Sequence, residues 1–131
     1  MNGDSILLED LALVSARHRA AGAAVTMVTV RVRDTELFGA LQVAPDGRIT
    51  GFGEKIAKGE GIINAGVYVM ARSILTAIDV PSSLERDVFP RLIGLGMMSY
   101  PSQAPFIDIG NPDSYARIEV AAAKYLRMVG E

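Results

Sequence analysis

Two carboxylates stand in turn-rich settings far apart in the sequence: Asp4 in Asn-Gly-Asp-Ser and Asp108 in Phe-Ile-Asp-Ile-Gly-Asn-Pro. Carboxylate oxygens are hard ligands, and magnesium is usually held by one or two of them together with phosphate oxygens and water. Acids 104 positions apart can share an ion only if both lie at strand ends on one edge of a sheet, where open α/β sheets bind ligands. Taken singly, each has a plainer reading: Asp4 as an Asx-turn residue, Asp108 as a turn acid near Asn111. Glu54-Lys55 forms a second candidate pair. A carboxylate accepts bonds from paired hydroxyls, and a lysine is a compact charge suited to a phosphate; an exposed ion pair at the end of a hairpin is the simpler alternative. Asn64-Ala65-Gly66 interrupts an apolar run with one polar side chain and one glycine. Such a glycine marks either close approach of a ligand or another backbone, or a bulge with an internally bonded asparagine. Gly39, after Phe38, stands where a hairpin glycine needs no further reason.

Elements to position these residues can be read along the chain. Leu7, Leu11, Val14 and His18 fall on one face at helical spacing, and Gly22 ends that run. His18 is read as packed and not catalytic. Residues 24–32 are β-branched and mostly apolar, a strand covered on both faces. FGALQV and RITGF flank Pro45-Asp46-Gly47 and predict a β-hairpin. Residues 62–70 predict a further buried strand, and 71–78 and about 83–94 two helices. Ser82 and Glu85 have capping-box spacing for the second of these, which accounts for Glu85 without any binding role and leaves Arg86 ambiguous. MMSY and PFIDI predict short strands. Asn111-Pro112 is an N-cap and N1 pair opening a helix whose Tyr115, Ile118, Ala122, Tyr125, Leu126 and Val129 share a face. The Met97-Met98 pair and these tyrosines read as core. Strands alternating with helices, with a hairpin between, predict an α/β fold with a mixed sheet.

Composition narrows the functions. The 131 residues make one domain, half hydrophobic and 21% charged, so the chain is globular. A formal net charge of −2 argues against nucleic acid as a partner. With no cysteine and one histidine, disulfides, a thiol nucleophile, a zinc site and a Ser-His-Asp triad are all disfavoured. No apolar run approaches the roughly 20 residues needed to cross a bilayer, and no secretory signal is visible. A cytoplasmic location without a membrane partner is the expectation.

NGDS, FGALQVAPDGRITGFGEK, INAGVYVM, SLERDVFP and FIDIGNPDSY occur in that order. Together they resemble the second half of the sugar-1-phosphate nucleotidyltransferases, most nearly the mannose- and heptose-1-phosphate guanylyltransferases. The resemblance implies a Rossmann-like nucleotide-diphospho-sugar transferase fold. It implies an activity that joins a sugar 1-phosphate to a nucleoside triphosphate and releases pyrophosphate, in nucleotide-sugar biosynthesis. It also implies Asp4 and Asp108 as catalytic ligands of Mg2+. Glu54 would accept bonds from sugar hydroxyls, Lys55 would meet the sugar's phosphate, Asn64 would contact the sugar, and Gly66 and Gly39 would let it pass close to the main chain. Ile56 stands where the family often has proline.

The family's nucleotide-binding signature, a glycine-rich G-G-x-G-T-R-L loop followed by a lysine, does not occur in the sequence. Nor do the parallel strands that precede the GD turn in that family. The expectation is therefore a single domain over 1–131 that forms the sugar-phosphate-binding half and is not an efficient enzyme alone. It would be completed by a missing N-terminal half, a partner chain or self-association. The alternative is a non-catalytic half-domain that binds a sugar phosphate or assembles with a subunit.

Overall fold

The computed structural model describes residues 1–53, 59–110, 112–116, 118–120 and 123. The centre of the fold is strand β2 (Val25–Val32), whose first six residues are all buried. It pairs antiparallel with β5 (Gly61–Met70) and parallel with β6 (Met97–Pro101), giving a three-stranded mixed sheet in the order β5-β2-β6. The run of apolar and β-branched residues in β2 follows from burial on both faces. Val28 and Val30 join Val14, Ile63, Ala65 and Val67 in one core cluster, and Val25 and Met27 join Leu41, Ile49, Phe89 and Met97 in another. The mixed α/β architecture thus agrees with the sequence expectation.

Helix α1 (Leu11–Ala21) supplies Val14 to the first cluster. Asp10 caps it by accepting a bond from the Ala12 N–H at 2.8 Å, and Gly22 closes it at φ 58°, donating to the Arg19 carbonyl. The expected helical face began at Leu7, but Leu7 belongs to strand β1 (Ser5–Leu7). That strand pairs antiparallel with β7 (Phe106–Asp108), about a hundred residues away, so nothing local announces it. The predicted hairpin is present as β3 (Leu41–Val43) and β4 (Ile49–Phe52), a two-stranded sheet of its own. Its turn folds back on β6, with the Ser99 N–H donating to the Gly47 carbonyl at 2.8 Å.

Helix α2 is shorter than expected, Arg72–Thr76. The helix expected over 83–94 divides into a π-helical turn, Leu84–Val88, and a short α3, Phe89–Leu92. Pro90 has no N–H to give to the carbonyl four residues back, so an uninterrupted α-helix through this point would lose a bond and meet the proline ring. A further α-helix, α4 (Pro112–Ala116), follows β7. Its Tyr115 was expected in the core but is 64% exposed. Asn111 and four of the residues expected on its apolar face, Ala122, Tyr125, Leu126 and Val129, lie outside the described residues. No helix among the described residues is long and apolar enough to cross a membrane.

His18 is packed, as its place on α1 suggested. Its Nδ1 lies 2.9 Å from the Thr26 hydroxyl of β2. Burial, and secondarily the charge of Arg19, hold its pKa below the ordinary value. The folded value is therefore lower than the unfolded one, and the unfolded chain binds the proton more readily. This contribution to stability is complete above about pH 6.5 and is lost as the pH falls below it. NMR titration of this single histidine should give a midpoint below that of a model peptide. Denaturant unfolding of His18→Gln should lack the corresponding acid-side slope; an unaltered slope would show that His18 is not its source.

Candidate active site

Several chain segments end around one open cleft of about 600 Å³. Asp4 comes from the turn before β1, Asp108 from the end of β7, and Gly39 from the approach to β3. Asn64 and Gly66 come from the middle of β5, and Glu85 and Arg86 from the π-helical turn. Phe38, Phe52 and Phe106 add apolar wall. A concave site with apolar walls and a few converging polar groups is the usual form of a small-molecule site.

The pairing of β1 with β7 brings the two carboxylates together. Ser5 is registered opposite Asp108, and the Ile109 N–H donates to the Asp4 carbonyl at 2.9 Å. Gly110 marks the point they share. A Cβ placed there would lie 3.2 Å from Asp108 Oδ1 and 3.4 Å from Asp4 Oδ2. The absence of a side chain at 110 therefore leaves a small cradle bounded by both acids. The Gly110 N–H also donates to Asp108 Oδ1 at 3.1 Å, fixing that carboxylate. No group of three or more acid or histidine ligands occurs among the described residues. Two carboxylates nevertheless suit magnesium, which keeps waters and takes phosphate oxygens for its other positions.

Asn64 and Gly66 form the bulged centre of β5. The register against β2 shifts between Met27 and Thr29, and the Gly66 N–H donates to Asn64 Oδ1 at 2.8 Å. Gly66 has φ +74°, a conformation costly for any residue with a Cβ. Its Cβ would also fall 2.5 Å from Ser5 Oγ and 3.1 Å from Asn2 Cβ, and its carbonyl accepts from the Asn2 N–H at 2.7 Å. The missing side chain thus seats the segment that carries Asp4, so the glycine answers to close approach of another stretch of backbone and to a bulge with an internally bonded asparagine. Gly39 also has positive φ, +74°, within a turn closed by its N–H to the Thr35 carbonyl.

Glu85 is where sequence reasoning went astray. The reciprocal cap is made by other residues: Ser83 Oγ accepts from the Arg86 N–H, and Asp87 Oδ2, four residues on, accepts from the Ser83 N–H at 2.7 Å. Glu85 takes no part in it. Instead its Oε1 accepts from Asn64 Nδ2 at 3.1 Å, Asn2 Nδ2 at 3.3 Å and the Tyr68 hydroxyl at 3.4 Å. Burial pushes the Tyr68 phenol up to about 12, with the neighbouring Glu85 charge adding to the rise, so the phenol stays protonated and able to donate. Arg86 makes no ion pair among the described residues and leaves a cation at the cleft. Glu54 and Lys55 lie outside the described residues.

Comparison with known proteins gives this cleft a context. The sequence profile of the nucleotidyl transferase family matches residues 1–125. The chain is 30% identical over 129 residues to D-glycero-alpha-D-manno-heptose 1-phosphate guanylyltransferase of Aneurinibacillus thermoaerophilus, covering 96% of this chain and 56% of that protein. It is 34% identical over 122 residues to mannose-1-phosphate guanylyltransferase of Mycobacterium tuberculosis, covering 88% of this chain and 34% of that protein. Among solved structures, HddC from Yersinia pseudotuberculosis superposes with a TM-score of 0.75 at 28% identity, over 89% of this chain and 51% of HddC. HddC complexed with GMP-PN superposes with a TM-score of 0.72. This chain therefore spans only about half the length of the heptose relative and a third of the mannose relative. It aligns to the N-terminal region of the guanylyltransferases and not to their C-terminal half, which corrects the position expected from the motif order.

Proposed function

The chain belongs to the nucleotidyl transferase family, and from that premise we propose that its cleft binds the sugar 1-phosphate used by a guanylyltransferase, with mannose or heptose 1-phosphate as the substrate class. The observation that carries this reading is the meeting of Asp4 and Asp108 at the Gly110 cradle. The names of the heptose and mannose relatives support the choice of sugar. Asp4 and Asp108 would hold a magnesium ion, which when bound supplies charge neutralisation for phosphate oxygens. Asn64, Gly66 and Gly39 border the space for the sugar. Glu54 and Lys55 are assigned to its hydroxyls and phosphate from the sequence motif.

In the complete reaction an oxygen of the sugar phosphate attacks the α-phosphorus of the triphosphate in line. The bond from that phosphorus to the bridging oxygen breaks, and pyrophosphate leaves. Catalysis of this kind is mainly positioning and charge neutralisation. The part assigned to this chain is to bind and orient the attacking phosphate. The full transfer is proposed for the longer enzyme to which the chain corresponds. Melting the chain with magnesium and a panel of hexose and heptose 1-phosphates tests the binding. At a hundredfold excess over Kd, one member of the panel should raise Tm by roughly 10 °C, and only with magnesium present. A melt that no member of the panel moves would remove the proposal.

A further inference from the structure

We propose that Glu85 is a second, specificity-determining acceptor for ligand hydroxyls in this cleft, and that Asn2, Asn64 and Tyr68 are positioning residues that fix its carboxylate. The inference rests on the sugar 1-phosphate reading above and deepens it. Three donors converge on Glu85 Oε1, while Oε2 accepts no bond among the described residues. An ionised carboxylate accepts through both oxygens. One oxygen is thus held by the protein, and the other is left to a ligand in the cleft that Glu85 lines.

The donors are themselves fixed. Gly66 N–H holds Asn64 Oδ1 at 2.8 Å, which turns the amide nitrogen toward the Tyr68 hydroxyl at 2.7 Å and toward Glu85. Tyr68 accepts from Asn64 and passes its own proton toward Glu85, and its ring packs on Phe89 with centroids 4.9 Å apart. Asn2 comes from the turn that carries Asp4, so the hydroxyl-binding carboxylate and the proposed metal carboxylates are tied to one segment. Helix capping does not explain the placement, because Ser83 and Asp87 already perform it. The π-helical turn that presents Glu85 is a rare element, frequent at functional sites. A third carboxylate beside Asp4 and Asp108 calls for hydroxyl donors in the ligand, which a glycosyl ring offers in a fixed stereochemical pattern.

Calorimetric titration of the whole chain in magnesium, with mannose 1-phosphate and its monodeoxy analogues as probes, tests the assignment. Glu85→Gln should weaken mannose 1-phosphate by about tenfold or more, the scale of a lost hydrogen bond to a charged group. It should also erase the preference over one particular deoxy analogue. Tyr68→Phe should weaken binding by less and reduce the same preference. Wild-type binding that persists in Glu85→Gln with unchanged preferences overturns the Glu85 assignment alone. A wild-type chain that binds none of these probes, nor any heptose 1-phosphate, overturns the function reading and this one with it. If Glu85→Gln does not melt cooperatively, Tyr68→Phe decides: an unaltered preference refutes the positioning array, and a reduced one supports it.

Discussion

Truncating Phe89 to alanine is expected to destabilise the fold by about 3–5 kcal/mol, the cost of a large cavity in a core that relaxes only in part. Phe89 has no exposed surface and lies in the cluster built from Val25, Met27, Leu41, Ile49 and Met97. Its ring packs tilted against Tyr68 and stacks parallel to Phe52 with centroids 6.5 Å apart, so three segments lose a shared partner at once. Domains of this size hold only about 5–15 kcal/mol in total, so the variant should unfold at a much lower urea concentration with its m-value little altered. Phe89→Leu keeps most of the volume and should recover over half of the loss. A loss below about 0.5 kcal/mol for alanine, the ordinary effect of a surface change, would refute a central packing role. The same truncation frees the Tyr68 ring, so it should also loosen the Glu85 carboxylate and weaken any ligand held there.

Phe89 also shows where the sequence stops speaking. Helix α1, strand β2 and the β3–β4 hairpin were legible because their signals are local: Gly22 after a 3.6-residue period, an unbroken β-branched run, and Pro-Asp-Gly between two apolar stretches. Strand β1 was not, since three residues become a strand only by pairing with β7. The misreading of Glu85 has the same origin. Ser82-x-x-Glu85 has the letters of a capping box, whereas the real cap, Ser83 with Asp87, lies one residue later at the serine and two later at the acid and does not have that spacing. Glu85 instead meets Asn2 and Asn64, distant contacts that no capping motif encodes. The one available signal was an acid beside an arginine with its cap duties open to a neighbouring serine. For Asp4 and Asp108 the opposite holds. Their meeting is entirely non-local, and their turn settings taken singly read as plain turn acids; the order of the motifs is what set them side by side, as the β1–β7 pairing does.

Asp108→Ala is expected to abolish magnesium-dependent binding of a sugar 1-phosphate. The proposed metal position has two protein charges; losing one halves the negative charge that draws the cation, and the phosphate depends on that cation to approach Asp4. Removing one acid therefore leaves a monodentate site open to water, and affinity for the ion and the phosphate should fall together, by a hundredfold or more on the order of two lost charge-assisted contacts. The alanine also removes the acceptor for the Gly110 N–H, a change worth about 1 kcal/mol. Asp108→Asn separates the two effects, since an amide oxygen keeps that bond and lacks the charge. It should melt within a few degrees of wild type and still fail to gain stability from magnesium with mannose 1-phosphate. If Asp108→Asn binds the sugar phosphate as wild type does, Asp108 is a turn residue only, and the cradle at Gly110 serves the β7 turn and not an ion.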